Sequence, residues 1–157
     1  EVVWMSPISD AHDLLRLFLI HLLGLFVQHG QWGVLHSEPF QMKTAPHLPG
    51  RSPDILFVAN AHQSRIQKAH PEGRRDSVDK FAEYEEGGVL EYWLLDQPRR
   101  QATFYGLGDD GRYHPLPIDE DGIFHSLVLP GFWLKVEWLW QQPHPAVLDI
   151  LREWGVI

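Results

Sequence analysis

A carboxylate that directly precedes a short apolar run is the feature that most constrains this chain. Pro53 and Asp54 lead straight into the run Ile55–Val58, which has the length and composition of a buried strand. Asp54 therefore stands at the mouth of a predicted strand, where a metal ligand is usefully placed. The plainer interpretation is a turn aspartate that caps the start of the strand, since Pro-Asp is common in turns.

A helix is predicted next, capped by Asp76 or Ser77 and running through Glu86, before a pair of glycines. Its apolar positions are expected to face a sheet. They are Val78, Phe81 and Ala82.

The other flank of this helix carries Asp76, Lys80 and Tyr84, which recur every four residues and share one face. Lys80 would lie close to the end of the strand that Asp54 begins. In a phosphodiester hydrolase, an ammonium group there stabilises charge that develops on the scissile phosphate. The alternative is an exposed lysine in a weak helical pair, worth a few tenths of a kcal/mol.

Ordered blocks along the chain resemble the Uma-two family of restriction-endonuclease-like proteins. The blocks are MSPISDAH, SPDILFV, RRDSVDKFAEY and GGVLEYWLLD, and LVLPGFWLKVEWLW is similar to the family's closing strand. The resemblance covers nearly the whole chain, and the order of the blocks makes it specific. It implies an α/β fold of the PD-(D/E)XK class, with a restriction-endonuclease-like core, a mixed central β-sheet flanked by helices, and antiparallel C-terminal strands.

The resemblance also implies a function, the metal-dependent hydrolysis of phosphodiester bonds in nucleic acid, with DNA favoured as substrate. Asp54 would hold Mg²⁺ or Mn²⁺, and Lys80 would assist the chemistry. Residues expected near this site are His12, Glu38, Asp76 and Tyr84. His12 and Glu38 have plainer interpretations as a polar residue at a helix end and a solvated edge glutamate. The competing hypothesis is an inactive nuclease-like scaffold that serves as a binding or regulatory module.

The chain departs from the family pattern where His70 runs directly into Pro71. The family has an apolar strand there, of the form PDLVVEVLSP, whose glutamate supplies the second acidic metal ligand. Loss of a strand of roughly 5–6 residues from a sheet would leave its neighbours unpaired. We therefore expect further residues at this point of the natural protein and, because Glu1 starts inside an apparent strand, before the first residue. The whole, 1–157, is expected to form one domain.

The first predicted helix runs from Ala11 to Gln28 and is apolar nearly all round. Arg16 and His21 interrupt a segment that is already short for the hydrocarbon core of a membrane. A helix buried in the core, or one that faces a second copy in a homodimer, is therefore favoured over a membrane span.

The remaining elements are predicted from alternation, turn residues and amphipathic spacing. The strands are Val34–His36, Pro39–Lys43, Val89–Leu95, Ala102–Tyr105, Gly111–Pro115 and Ile123–Leu127. The tail, Pro143–Ile157, is predicted to be a short amphipathic helix that contains Val147, Leu148, Leu151 and Trp154. Two acidic loops, at 108–111 and 119–122, lack the spacing of calcium loops and are predicted to be turns.

Charge and cysteine content limit the remaining function classes. The chain has no cysteine, which excludes thiolate metal sites and fits a reducing cytoplasm. Its net charge of −8 argues against a general nucleic-acid binder that works by neutralising phosphates. A metal-dependent nuclease is compatible with that charge, because its cation offsets local acid.

Overall fold

The computed structural model describes residues 7–37, 55–59 and 77–157. Within these ranges the chain forms three α-helices, a 3₁₀ helix and seven short strands. The elements are α1 (Pro7–Gly30), β1 (Gly33–Ser37), β2 (Ile55–Ala59), α2 (Ser77–Glu86), β3 (Glu91–Asp96), β4 (Gln101–Leu107), β5 (Tyr113–Pro115), β6 (Ile123–His125), β7 (Trp133–Lys135), a 3₁₀ helix (Val136–Leu139) and α3 (Val147–Glu153).

The described strands form three small antiparallel sheets. β1 pairs with β2, β4 lies between β3 and β5, and β6 pairs with β7. The chain is therefore a mixed helix and strand protein, and its C-terminal strands are antiparallel as predicted. The single mixed sheet of a restriction-endonuclease core is not seen within these ranges, and it remains a prediction. The predicted strand Pro39–Lys43 and the junction of His70 with Pro71 lie outside the described residues.

The β3–β4 hairpin presents aromatic side chains on both of its faces. Its register sets Tyr92 opposite Tyr105 and Trp93 opposite Phe104. Because successive side chains of a strand point to opposite faces, the tyrosines and the Trp93–Phe104 pair cover different sides of the sheet. α2 packs on the tyrosine side through Phe81. The Trp93–Phe104 side faces the main core.

The main core is aromatic at its centre. Phe104 and Phe124 are buried and stack with their ring centroids 3.8 Å apart. Trp93 contacts both rings edge-on, at 5.4 Å from each. Phe132 connects this group to Phe26 of α1, at 5.3 Å. The sheets and α1 are therefore held by one continuous apolar cluster.

α1 contributes most of the aliphatic side chains of that cluster. Its buried residues recur at helical spacing and line one side of the helix. They are Leu15, Phe18, Leu19, Leu22, Leu23, Phe26 and Val27. The predicted core helix is thus present, with bounds wider than expected at both ends. Among the residues described, there is no helix with the length and apolar character that crossing a membrane requires.

The C-terminal segment closes over α1. His144 stacks on Phe18 with centroids 4.7 Å apart, and Trp154 meets Phe26 edge-on at 5.4 Å. Ile150 and Leu151 of α3 are buried. The predicted tail helix is therefore present in a shorter form. Leu148, one of the apolar residues of that helix, is exposed.

The face of α2 that meets the sheet differs from the predicted one. Phe81 packs against the tyrosines as expected, but Ala82 is exposed. Tyr84 is buried in its place, with 3% of its surface exposed. The positions that contact the sheet are thus three residues apart, and the large ring of Tyr84 buries more apolar surface than the methyl group of Ala82 could.

Candidate active site

Asp54 is the residue on which the predicted site depends, and it directly precedes the first residue of β2. Asp54 itself lies outside the described part of the chain. The antiparallel register of β1 and β2 ends with Ser37 opposite Ile55. In the sequence Glu38 follows Ser37 and Asp54 precedes Ile55, so both residues are the chain neighbours of the last described pair of this ribbon. The placement of Glu38 is likewise outside the described residues.

Lys80 belongs to α2 and precedes Tyr84 by one helical turn. Its side chain lies outside the described part, as does Asp76, which directly precedes the helix. The helix that was predicted to be capped by Asp76 or Ser77 and to end at Glu86 is present as Ser77–Glu86. The contacts that hold α2 against the sheet therefore also set the position of Lys80 in the fold.

An aromatic cluster fixes α2. Phe81 meets Tyr105 and Tyr113 edge-on, with centroids 4.9 Å and 5.2 Å away. Tyr84 packs on Tyr92 at 5.3 Å. The four tyrosines of the chain are all in this cluster. Aromatic pairs in such geometries add about 0.5–1.5 kcal/mol each beyond their buried area, so the helix that carries Lys80 has a rigid base.

Hydrogen bonds lock the C-terminal end of α2 to β5. The backbone N–H of Tyr113 donates to Glu85 Oε2 at 2.8 Å, and the Tyr113 hydroxyl donates to the Val89 carbonyl at 2.7 Å. Gly88 has a φ of 79°, a left-handed conformation in which glycine is least strained. Burial is the main cause that raises the pKa of Tyr113 far above its ordinary value, and nearby Tyr92, Glu85 and Tyr84 add to it. The hydroxyl therefore stays protonated and acts here as a structural donor.

His12 and Tyr84 are the other predicted site neighbours within the described residues. His12 is exposed on the first part of α1. Tyr84 is part of the aromatic cluster under α2. Because Asp54 and the Lys80 side chain lie outside the described part, a catalytic role for either neighbour stays a prediction.

Glu91 is an important polar residue that the sequence did not single out. Its Oε2 accepts hydrogen bonds from the Ser126 hydroxyl at 3.2 Å and from the backbone N–H groups of Leu127 and Val128 at 3.0 Å and 3.1 Å. Its Oε1 accepts one from the Trp93 indole at 2.7 Å. One carboxylate thus ties β3 to the loop between β6 and β7. A lone glutamate within the apolar run VLEYWLLD was the available signal.

We predict that Glu91→Ala lowers the free energy of unfolding by about 2–4 kcal/mol. Truncation would leave several partly buried donors without their charged acceptor, which costs more than an ordinary hydrogen bond contributes. Urea denaturation followed by tryptophan fluorescence measures the change. Glu120→Ala, at an exposed turn residue, is the control and should cost less than about 0.5 kcal/mol. Equal losses in the two variants would contradict the anchoring role.

The described acidic loops are turns, as predicted. Asp110 and Asp119 in these loops are hydrogen-bonded to groups close by in the sequence. Asp110 accepts the N–H of Arg112 and contacts His114 Nε2, and Asp119 accepts the N–H groups of Asp121 and Ile123. Backbone hydrogen bonds are the main cause that lowers the pKa of both carboxyls. Within the described ranges there is no group of three or more histidine or acidic side chains that could hold a metal. A metal site would therefore have to draw on residues outside these ranges.

Comparison with known proteins tests the family resemblance. A search of curated proteins finds no match. A family model, that of Uma-two, described as "putative restriction endonuclease", matches residues 1–137. The matched range includes Asp54 and Lys80 and ends within the 3₁₀ helix before the C-terminal segment. Since it covers most of the 157 residues, the resemblance seen in the ordered sequence blocks is confirmed, and the chain belongs to the Uma-two family of restriction-endonuclease-like proteins.

Proposed function

We propose that this chain is a divalent-metal-dependent nuclease that hydrolyses phosphodiester bonds, with DNA as its substrate. The observation that carries the proposal is membership of a family described as "putative restriction endonuclease" over a range that contains both Asp54 and Lys80. Two local facts support it. β2 begins at the residue after Asp54, and Lys80 belongs to a helix that is firmly packed on a sheet.

In this proposal Asp54 holds the metal and Lys80 contacts the phosphate. Mg²⁺ or Mn²⁺, when bound, would polarise the phosphoryl oxygen and favour ionisation of an attacking water. The ammonium group of Lys80 would stabilise negative charge that grows on the scissile phosphate. The aromatic base of α2 matters here because a catalytic group must be held closely in place to be effective.

Glu38 is the residue we propose as the nearest acidic companion of Asp54. The support is the register of the β1–β2 ribbon, whose last pair, Ser37 and Ile55, joins directly to Glu38 and Asp54. Hard divalent cations prefer several carboxylate oxygens. The residues expected between His70 and Pro71 would supply the family's second acid, and Glu38 is the acid that the present sequence itself offers next to Asp54 along the ribbon. His12, Asp76 and Tyr84 stay lower-ranked neighbours.

Mg²⁺ or Mn²⁺ is expected to raise the melting temperature of the wild-type protein by about 5–10 °C when its concentration is about 100-fold above its Kd. A ligand that binds only the native state stabilises it by mass action. Asp54→Ala should abolish this shift, and Glu38→Gln should reduce it. The measurement is differential scanning calorimetry against an EDTA-treated baseline.

Asp109→Ala is the matched control for loss of a carboxylate, because Asp109 is exposed in the turn between β4 and β5. This variant should keep the full shift. A shift of equal size in Asp54→Ala would place the metal at other residues, and that result would overturn the role proposed for Asp54.

A second candidate function is an inactive scaffold that binds a partner without cleaving nucleic acid. A natural protein in which His70 is joined directly to Pro71 would favour it, because the family's glutamate strand at this point supplies the second metal ligand. Under this hypothesis metal ions do not change the melting temperature. Lys80→Ala then costs no more stability than the loss of a weak surface ion pair, and it leaves partner binding unchanged.

A further inference from the structure

The turn between β3 and β4 carries two adjacent arginines, Arg99 and Arg100, and both are exposed. We call these two residues the arginine tip. The turn is ordered, because the backbone N–H of Arg99 donates to Asp96 Oδ1 at 3.2 Å and that of Arg100 donates to the Gln97 carbonyl at 3.1 Å. The two arginine side chains therefore start from fixed positions at one end of the hairpin.

The protein neutralises these two cations only weakly. Arg99 lies 3.8 Å from Asp96 and has 77% of its side chain exposed, and a pair of this kind contributes little in water. Arg100 makes no ion pair with any residue that the structure describes. The other lysine and arginine side chains within the described ranges each have an acidic partner, and they are Arg16, Arg99, Arg112, Lys135 and Arg152.

The backbone of Arg100 is held in an uncommon conformation. Its φ of 51° lies in the left-handed region, which favours glycine and asparagine over residues with long side chains. Residues held in this way cluster at binding and catalytic sites, where the position of the side chain compensates for the strain. The conformation of Arg100 is thus a second observation, separate from its charge, that indicates a binding role.

The hairpin is also polarised in charge along its length. Its other end leads into the turn between β4 and β5, which carries Asp109 and Asp110, both exposed. Residues 81–157 contain 13 acidic and 5 basic residues, so the arginine tip places two of these five cations side by side in an acidic part of the chain. A polyanion is therefore attracted to the tip and repelled from the opposite end.

The direction of α2 relates the tip to the proposed catalytic lysine. Near the C-terminal end of α2, Glu85 Oε2 accepts the N–H of Tyr113, which stands opposite Leu107 of β4. Four residues earlier on the helix, Phe81 lies against Tyr105 of β4, at 4.9 Å. α2 therefore runs in the same direction as β4, and its N-terminal end points towards the arginine tip.

The distance along β4 is short enough for one DNA strand to reach both places. Lys80 directly precedes Phe81 and belongs to the turn of α2 that lies at Tyr105. β4 begins at Gln101, next to the tip, and Tyr105 follows four residues later, which is about 13 Å at about 3.3 Å per residue. A DNA strand advances about 3.4 Å per nucleotide, so about four nucleotides cover this distance.

We propose that the arginine tip binds the phosphate backbone of the DNA, about four nucleotides from the phosphate that is cleaved. The inference rests on the proposed function, because it places the substrate relative to Lys80. Arginine suits the role, since its planar guanidinium donates two parallel hydrogen bonds to phosphate oxygens. Contacts of this kind position the DNA without reading its sequence.

Loss of the two charges should weaken DNA binding and make it less dependent on salt. The variant is Arg99→Gln combined with Arg100→Gln, on a Lys80→Ala background with Mg²⁺ present, so that cleavage is slow and no proposed metal ligand is removed. Fluorescence anisotropy of a labelled DNA duplex, between about 50 mM and 200 mM salt, measures the binding constant. The slope of its logarithm against that of the salt concentration should fall by about 1.8, for two lost phosphate contacts. Affinity should fall on the order of tenfold or more.

Arg112→Gln combined with Arg152→Gln, on the same background, is the matched control. It removes two exposed cations away from the tip, since Arg112 lies at the opposite end of the hairpin and Arg152 on α3, with 74% and 64% of their side chains exposed. The control should keep the slope of the background protein. Circular dichroism checks that each variant is folded.

The tip proposal is overturned if both double variants lose the same slope, or if the background protein does not bind the duplex. Failure of the nuclease proposal gives a different result. If binding depends on the tip but the wild type cleaves no nucleic acid, the tip is supported and hydrolysis is not. If the wild type nicks plasmid DNA and the tip variant binds as the control does, the tip alone is overturned.

Discussion

Phe104→Ala is expected to lower the free energy of unfolding by about 3–5 kcal/mol, the largest stability loss of any single substitution predicted for this chain. Phe104 is 1% exposed and stacks on Phe124, which is fully buried. It also supports the edge of Trp93, which reaches towards Phe132 and α1. Truncation would leave a cavity at the junction of the sheets, where neighbouring rings cannot easily close in.

Urea denaturation followed by circular dichroism measures this loss. Leu127→Ala is the control, because Leu127 is an aliphatic residue with 71% of its surface exposed, and it should cost less than about 0.5 kcal/mol. If Phe104→Ala cost less than about 1 kcal/mol, the stacked pair would not be the centre of the core.

The sequence predicted elements whose signals are local. The end of α2 at Glu86 followed from the paired glycines after it, and its start at Ser77 agrees with one of the two capping residues proposed, Asp76. The strand expected at Val89–Leu95 is present as β3 but begins at Glu91. The Val89 N–H donates to the Tyr84 carbonyl at the end of α2, and the Leu90 carbonyl accepts from the Leu107 N–H at the edge of the β3–β4 pairing. Local patterns thus gave the type of each element more reliably than its ends.

Which face of an element is buried depended on distant residues, and this was harder to predict. Phe81 and Tyr84 of α2 face the sheet, and Ala82 is exposed. This face is buried because three tyrosines, one on each of β3, β4 and β5, offer aromatic rings there. Nothing within the helix reveals those partners. The role of Glu91 was missed for the same reason, since three of the four groups that donate to its carboxylate lie more than thirty residues later, at Ser126, Leu127 and Val128.

The candidate site came from the family resemblance more than from the residues alone. Pro-Asp before an apolar run is compatible with a simple turn, and the ordered blocks are what raised Asp54 above that interpretation. The β1–β2 register adds one relation that the sequence could not give, because it joins the chain positions of Glu38 and Asp54 to the same end of a ribbon. Strand pairing across a long connection is set by tertiary contacts, and periodicity does not encode it.

Asp54→Ala and Lys80→Ala are expected to have the largest effects on activity. Loss of the metal ligand should lower the rate of phosphodiester cleavage on the order of 10³-fold or more, because the metal supplies several kcal/mol of charge stabilisation. Loss of the Lys80 ammonium should lower it on the order of 10²-fold, as for removal of one electrostatic contact to the transition state. Lys80→Ala should keep the metal-dependent rise in melting temperature, since it removes no metal ligand.

The measurement that bears most directly on nuclease activity is nicking of supercoiled plasmid DNA in the presence of Mg²⁺ or Mn²⁺, at matched protein concentrations. Asp109→Ala and Lys135→Ala serve as controls, because both residues belong to the C-terminal half of the chain. Lys135 makes a long ion pair with Glu153, at 3.7 Å, and lies 5.9 Å from the centre of the Trp138 ring. We predict metal-dependent nicking by the wild type and by both controls, and strong loss in Asp54→Ala and Lys80→Ala. No nicking by the folded wild type across plasmid, linear and single-stranded substrates, or nicking that survives both substitutions, would contradict the proposed function.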